Sequence, residues 1–132
     1  MSRTTTDTAA PELMAQQQVA WLLQQARLQA PPACSAWPWL EAAHIVGQTQ
    51  FALHGRIHVH MLVQAWRERN MQEGIAQLLR LALVPVGHLL QRLPVGNPGS
   101  SRIDALTPMA VPMHLADLIE KSRSSVVTGV ST

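Results

Sequence analysis

Residues 37–61 read WPWLEAAHIVGQTQFALHGRIHVHM. Four of the chain's six histidines fall here, at His44, His54, His58 and His60, and Glu41 stands three residues before the first of them. The stretch reads as two helices. Trp39, Leu40, Ala43, Val46 and Gly47 recur at helical spacing before a break at Gly47-Gln48-Thr49-Gln50. Phe51, Leu53, Ile57, Met61, Leu62, Ala65 and Trp66 do so after it, which predicts a helix over about 50–69. At roughly 100° per residue, Glu41 and His44 lie about 60° apart on the first helix, and His54 and His58 about 40° apart on the second. If the two helices form an antiparallel hairpin turning near 48–51, His44 comes level with His54 and Glu41 with His58. His60 points to another face.

Three imidazoles and one carboxylate make a ligand set for zinc, copper, iron or nickel. The candidate site is therefore Glu41, His44, His54 and His58, with Gln48 and Met61 beside it. Glu41-Ala42-Ala43-His44 is one half of a ferritin-like di-iron set, but the following helix offers Glu73, Gln77 and Arg80 instead of the other half. A mononuclear site is expected, unless a homodimer brings two copies together. The alternative is a polar seam between helices, with Glu41 and His44 as a local ion pair.

Outward from this stretch, a helix is predicted from about Pro11 to Gln29, ended by Pro31-Pro32, with residues 1–10 as a polar tail. Ser35 is a candidate N-cap for the helix that carries Glu41 and His44. Asn70 caps a fourth helix over about 71–83, with Glu73 in the capping-box place and Pro85 and Gly87 stopping or kinking it; a last turn through His88-Leu89-Leu90 is the alternative to a full stop. Ile75, Leu78, Leu79, Ala82 and Leu83 are its apolar positions. From Pro94 the chain turns into an arm with four prolines and with glycines at 96 and 99, carrying Val95, Ile103, Leu106, Met109, Val111 and Met113 to pack along the helices. A short helix is predicted over 114–121, and a tail over 122–132. One domain over 11–121 is expected, all-α, with two antiparallel helical hairpins and an extended C-terminal arm over 94–121. Offsetting the hairpins by about 36 residues puts Trp39 on Ile75 and Ala43 on Leu79, which is similar to a tetratricopeptide repeat; an ordinary four-helix arrangement is the alternative.

Composition narrows the classes. The 132 residues suffice for one modest core, and 47% of them are hydrophobic, so the chain is not disordered overall. The formal net charge is +2 without a Lys/Arg run of the kind that grips nucleic acid. No run of 18 apolar residues spans a membrane. MSRTTTDTAAPELM has no apolar signal region, and Cys34 is the one cysteine, so it makes no intramolecular disulfide; a reducing, cytoplasmic setting fits.

The loop Pro94–Arg102 is a second candidate. Amides around its glycines, at Gly96 and Asn97, together with Arg102 would cradle an anion, or the loop is simply a turn that redirects the chain. His88 and His114 read as isolated surface or capping residues.

Several stretches together resemble one small bacterial family: LEAAHIVGQ, His-x3-His-x-His-Met-Leu, Ala-Trp-Arg, Arg-Leu-Pro-Val-Gly-Asn-x-Gly and Pro-Met-x-x-Pro-x-x-Leu. The family is known as domain of unknown function 3703, and the resemblance spans about residues 36–118. It implies a helical fold with no assigned activity and an association with heavy-metal resistance and transport. Glu41, His44, Gln48, His54, His58 and Gly96-Asn97 fall on its recurring motif. His60 is less typical, Pro98 stands where a threonine is usual, and residues 100–103 depart from the usual small-residue run. The reading is a metal-binding protein that handles the ion or uses it on a small molecule. A metal-free interaction module and a cofactor-free enzyme, with His58 or His44 as base oriented by Glu41, are the alternatives.

Overall fold

A computed structural model describes residues 6–29, 33–105 and 107–129, with side chains from Ala9 onward. Its described residues form five helices and no strand: α1 (Thr6–Leu28), α2 (Trp37–Gly47), α3 (Phe51–Arg67), α4 (Met71–Leu89) and α5 (Met113–Thr128). Helix α1 packs against α2 and α3 against α4, while α2 also touches α3 and α5 and so sits at the centre. No helix among the described residues is long and apolar enough to cross a membrane.

The apolar core lies where α1, α2 and α3 meet. Val19, Leu22 and Leu23 of α1, Leu40, Ala42 and Ala43 of α2, and Ile57 and Met61 of α3 form it. Trp21 and Trp39 close one side edge to face, with ring centres 5.9 Å apart. A close crossing of α2 and α3 depends on Gly47, where an added Cβ would lie 2.6 Å from Ile57 Cδ1 and 3.1 Å from Leu53 Cγ. That approach falls one turn beyond His44, so it sets how near α3 brings its own histidines.

The start of α4 is made as its sequence suggests, by Asn70, whereas the N-cap of α2 is Ala36, with no side-chain cap, rather than Ser35. Ser35 Oγ accepts from the Trp37 N–H, and Pro38 falls in the first turn of α2. Asn70 Oδ1 accepts from the Glu73 N–H at 3.1 Å. Glu73 does not return the bond, because its carboxylate is drawn inward to Gln77 and Ser101.

Three boundaries differ from expectation. Helix α1 begins at Thr6, inside the stretch read as a tail, while residues 1–5 and the Pro31-Pro32 stop lie outside the described residues. Helix α4 passes the expected end near residue 83 and runs unbroken through Pro85 to Leu89, taking in the last turn expected at 88–90, although Pro85 has no N–H for the carbonyl of Leu81. Helix α5 is twice the predicted length and reaches Thr128, because Ser122 is fully buried against α1: its hydroxyl accepts from Gln18 Nε2 at 3.0 Å and donates to the Ile119 carbonyl. The arm is confined to the segment between α4 and α5, with Leu106 outside the described residues.

Helix α4 is turned against its own apolarity. Glu73, Gln77, Arg80 and Val84 are its buried residues. Met71, Ile75, Leu78, Leu79, Leu83 and Val86, expected partly in the core, are exposed.

Candidate metal centre

The inward stripe of α3 changes character along the helix: Met61 and Ala65 belong to the apolar end, His54 and His58 to the other. Helix α2 brings His44 against that second end. All three histidines are buried. Their Nε2 atoms form a near-equilateral triangle: 3.0 Å from His44 to His54, 3.2 Å from His44 to His58 and 3.2 Å from His58 to His54.

The opposite ring nitrogens fix what those corners are. His44 Nδ1 lies 2.8 Å from the carbonyl oxygen of Asn97, which only accepts, so Nδ1 carries the proton and Nε2 a lone pair. His58 Nδ1 lies 2.6 Å from Gln77 Oε1. The Gln77 amide is held in that orientation because its Nε2 donates to Glu73 Oε1 at 2.7 Å and to the Gly99 carbonyl at 2.9 Å. His58 Nε2 is therefore also a lone pair. His54 Nδ1 meets His88 Nε2 at 3.0 Å, a partner able to donate or accept. The triangle thus holds two inward lone pairs and a third corner free to be either. One proton on His54 Nε2, or one cation at the centre, satisfies it.

Electrostatics favours neutral rings. Burial pushes His44 well below the usual histidine range, helped by His58 and His54. Burial likewise takes His54 down to about 3, and His58 to about 4 against a raising bond from Gln77. The imidazoles stay uncharged at neutral and mildly acid pH, which is the state that ligates. A tetrahedral ion with N ligands at about 2.0–2.1 Å needs N···N edges of about 3.3 Å, close to those present. The described residues hold one group of His, Cys, Asp or Glu whose donor atoms converge in this way, and it is His44, His54 and His58.

Glu41 is outside that group. The Ser100 hydroxyl donates to its carboxylate, and Arg102 and His114 face it; burial raises its pKa against those lowering effects. The converging donors are thus three histidines, without the carboxylate of Glu41, and no bond of Glu41 orients His44 or His58. Gln48 acts on the arm instead: its Nε2 donates to the Pro94 carbonyl at 3.2 Å and its Oε1 accepts from the Gly96 N–H at 3.0 Å. Met61 is a core residue. His60 lies apart, half-buried among Arg27, Arg56 and Arg67, as its helical angle implied.

The amides of the Gly96–Arg102 loop that would cradle an anion are engaged within the protein. The Gly96 amide goes to Gln48, Asn97 to the Pro94 carbonyl, Gly99 to Asn97 Oδ1 and Ser101 to Glu73, while Arg102 is exposed near Glu41. The loop is the cover of the histidine triangle. Asn97 organises it by donating from Nδ2 to the Asp104 and Thr107 carbonyls, at 2.7 and 2.9 Å, while its own carbonyl receives His44. Gly99, at φ 81°, lies flat against the His44 ring, where a Cβ would come within 2.7–2.9 Å of three ring atoms.

His88 was not foreseen as part of the site. It occupies the next place after Gln77, Arg80 and Val84 on the inward stripe of α4, and taking that polar stripe as the inward one through Pro85 would have found it. Beside the triangle lies a cleft of about 40 Å³, room for one or a few water-sized atoms.

A protein-family model described as "Protein of unknown function (DUF3703)" matches residues 14–119, from within α1 into α5. Searches of curated proteins and of solved structures return no significant match. Since the match covers most of the chain, including every residue of the triangle and its cover, the chain belongs to the DUF3703 family.

Proposed function

We propose that the protein binds one divalent transition-metal ion, zinc, copper, iron or nickel, through His44, His54 and His58. The carrying observation is the buried triangle of Nε2 atoms, none more than 3.2 Å from another, with the far nitrogens of His44 and His58 anchored as donors. Hydrogen bonds that fix ligand tautomer and ring orientation are typical of histidine metal sites. Three protein ligands leave a coordination place open, and the adjoining cleft supplies space there. The site would hold the ion for handling or expose it to a small molecule. A cytoplasmic location is part of this proposal, in keeping with the exposed free Cys34.

The test is the metal content of protein purified without a histidine tag. Stoichiometric metal that is lost in His54→Ala with His58→Ala supports the reading. Protein that is metal-free, does not take up metal from solution and is unchanged by chelator sinks it.

A second reading has its own support. Met71, Ile75, Leu78, Leu79, Leu83 and Val86 make an exposed apolar face on α4, of the kind that marks an interaction surface. It fits a tetratricopeptide-like interaction module or a homodimer, with or without the ion. Light scattering of the wild type and of Leu79→Glu tests it; a wild-type monomer that no partner shifts argues against it.

A further inference from the structure

The cleft beside the triangle has an unusual wall for a cation site. Arg80 and Arg92 line it together with Leu83, Val84, Leu93 and Pro94. Arg80 is 9% exposed, and its Nη2 donates to the carbonyls of Ser100 and Ile103 at 3.0 and 2.6 Å. Its Nε has no partner among the described residues. A buried N–H without an acceptor is costly, and such groups in folded proteins normally have a partner. The metal makes the imbalance larger. Three neutral imidazoles do nothing to offset a double positive charge, which would stand close to a desolvated guanidinium. Glu73 is near, but its oxygens already receive Gln77 Nε2 and the Ser101 N–H, and it is not among the converging ligands.

An anion resolves both defects at once. It would fill the open coordination place, offset the ion's charge and give Arg80 Nε an acceptor. The volume of about 40 Å³ restricts it to a few heavy atoms, and the aliphatic wall excludes a strongly hydrated polyanion. We propose that the cleft takes a small oxyanion of carboxylate size, bound to the metal at its open place and accepting a hydrogen bond from Arg80, with Arg92 drawing it in. This rests on the metal-binding reading above.

The experiment uses cobalt-loaded, untagged full-length protein titrated with sodium formate, read in the visible cobalt spectrum. A saturable spectral change is expected. Arg80→Met should weaken formate by about tenfold or more at unchanged cobalt stoichiometry, the loss of a charged hydrogen bond. Arg92 is exposed, so Arg92→Ala should fold normally and weaken formate about twofold or more at low salt, less at high salt. Cobalt binding without any response to formate, or with wild-type affinity in both variants, overturns the proposal and leaves the metal reading standing. If Arg80→Met does not fold, Arg92→Ala decides alone. Failure to take up cobalt overturns both.

Discussion

The amide oxygen of Gln77 receives the Nδ1–H of His58 at 2.6 Å, and the same amide reaches Glu73 and the Gly99 carbonyl through its nitrogen. One side chain on α4 thereby joins a ring on α3, a carboxylate on its own helix and the covering loop. Each bond restricts the others, so the direction of the His58 lone pair is set by atoms well outside the triangle. His44 is fixed in the same manner from the loop, through Asn97.

Gln77→Leu keeps the volume and removes both functions of the amide. His58 loses the acceptor that selects its tautomer, and Glu73 and Gly99 lose a donor. Metal affinity should fall by about 10- to 100-fold, the usual effect of removing such a partner. Competition with a chromophoric chelator measures it, and an affinity within twofold of wild type would contradict the role given to Gln77.

Two glycines separate packing from propensity. At Gly99 a methyl group would press on the His44 ring from a left-handed backbone position, so Gly99→Ala should destabilise by roughly 2–4 kcal/mol. At Gly55, inside α3, an added Cβ meets nothing within 4 Å. Gly55→Ala should be neutral or stabilising, by up to about 1 kcal/mol. Urea unfolding of the two variants side by side checks both, and equal midpoints would show that the loop does not press on His44.

What sequence could and could not reveal follows from distance along the chain. His44, His54 and His58 were legible as one group because only three residues separate their helices and helix geometry does the rest. Glu41 shares the helix of His44 but faces a loop that joins it from more than fifty residues away, and nothing local announces that Ser100 will be there. Helix α4 shows a second limit. Its periodicity defines one polar and one apolar stripe but not which faces in; the polar stripe won because Glu73, Gln77 and Arg80 find partners in α3 and the loop. With the wrong stripe taken as inward, and a stop or kink expected at Pro85, His88 then read as isolated.

Acid should unfold the metal-free protein. In the unfolded chain the three imidazoles take up protons near pH 6.5, whereas in the fold His54 does so only at about 3, His58 at about 4 and His44 well below its usual range. Between those limits the unfolded state binds more protons, so stability is full above about pH 6.5 and is lost as pH falls toward 4. Each histidine contributes a slope of up to about 1.4 kcal/mol per pH unit. Glu41, raised by burial, opposes this by keeping a proton that the unfolded carboxyl sheds, but it is one group against three. Urea midpoints of chelator-treated protein from about pH 7.5 to 5 test the sign. A flat or rising midpoint on acidification would show that the rings are not held neutral.

His88 gives the last prediction. With metal on His54 Nε2, the Nδ1 of that ring must carry the proton and donate to His88 Nε2; without metal the direction can reverse, and His54 can share its Nε2 proton with the other two rings. His88→Phe keeps a ring against Phe51 but ends the hydrogen bond. The loss falls on the metal-bound form, which needs an acceptor there, more than on the free form, which has another arrangement. Metal affinity should drop about tenfold while the thermal midpoint of the metal-free protein moves little. Isothermal titration with zinc and thermal unfolding with and without chelator separate the two effects. An equal loss of stability in both forms would make His88 a packing residue only.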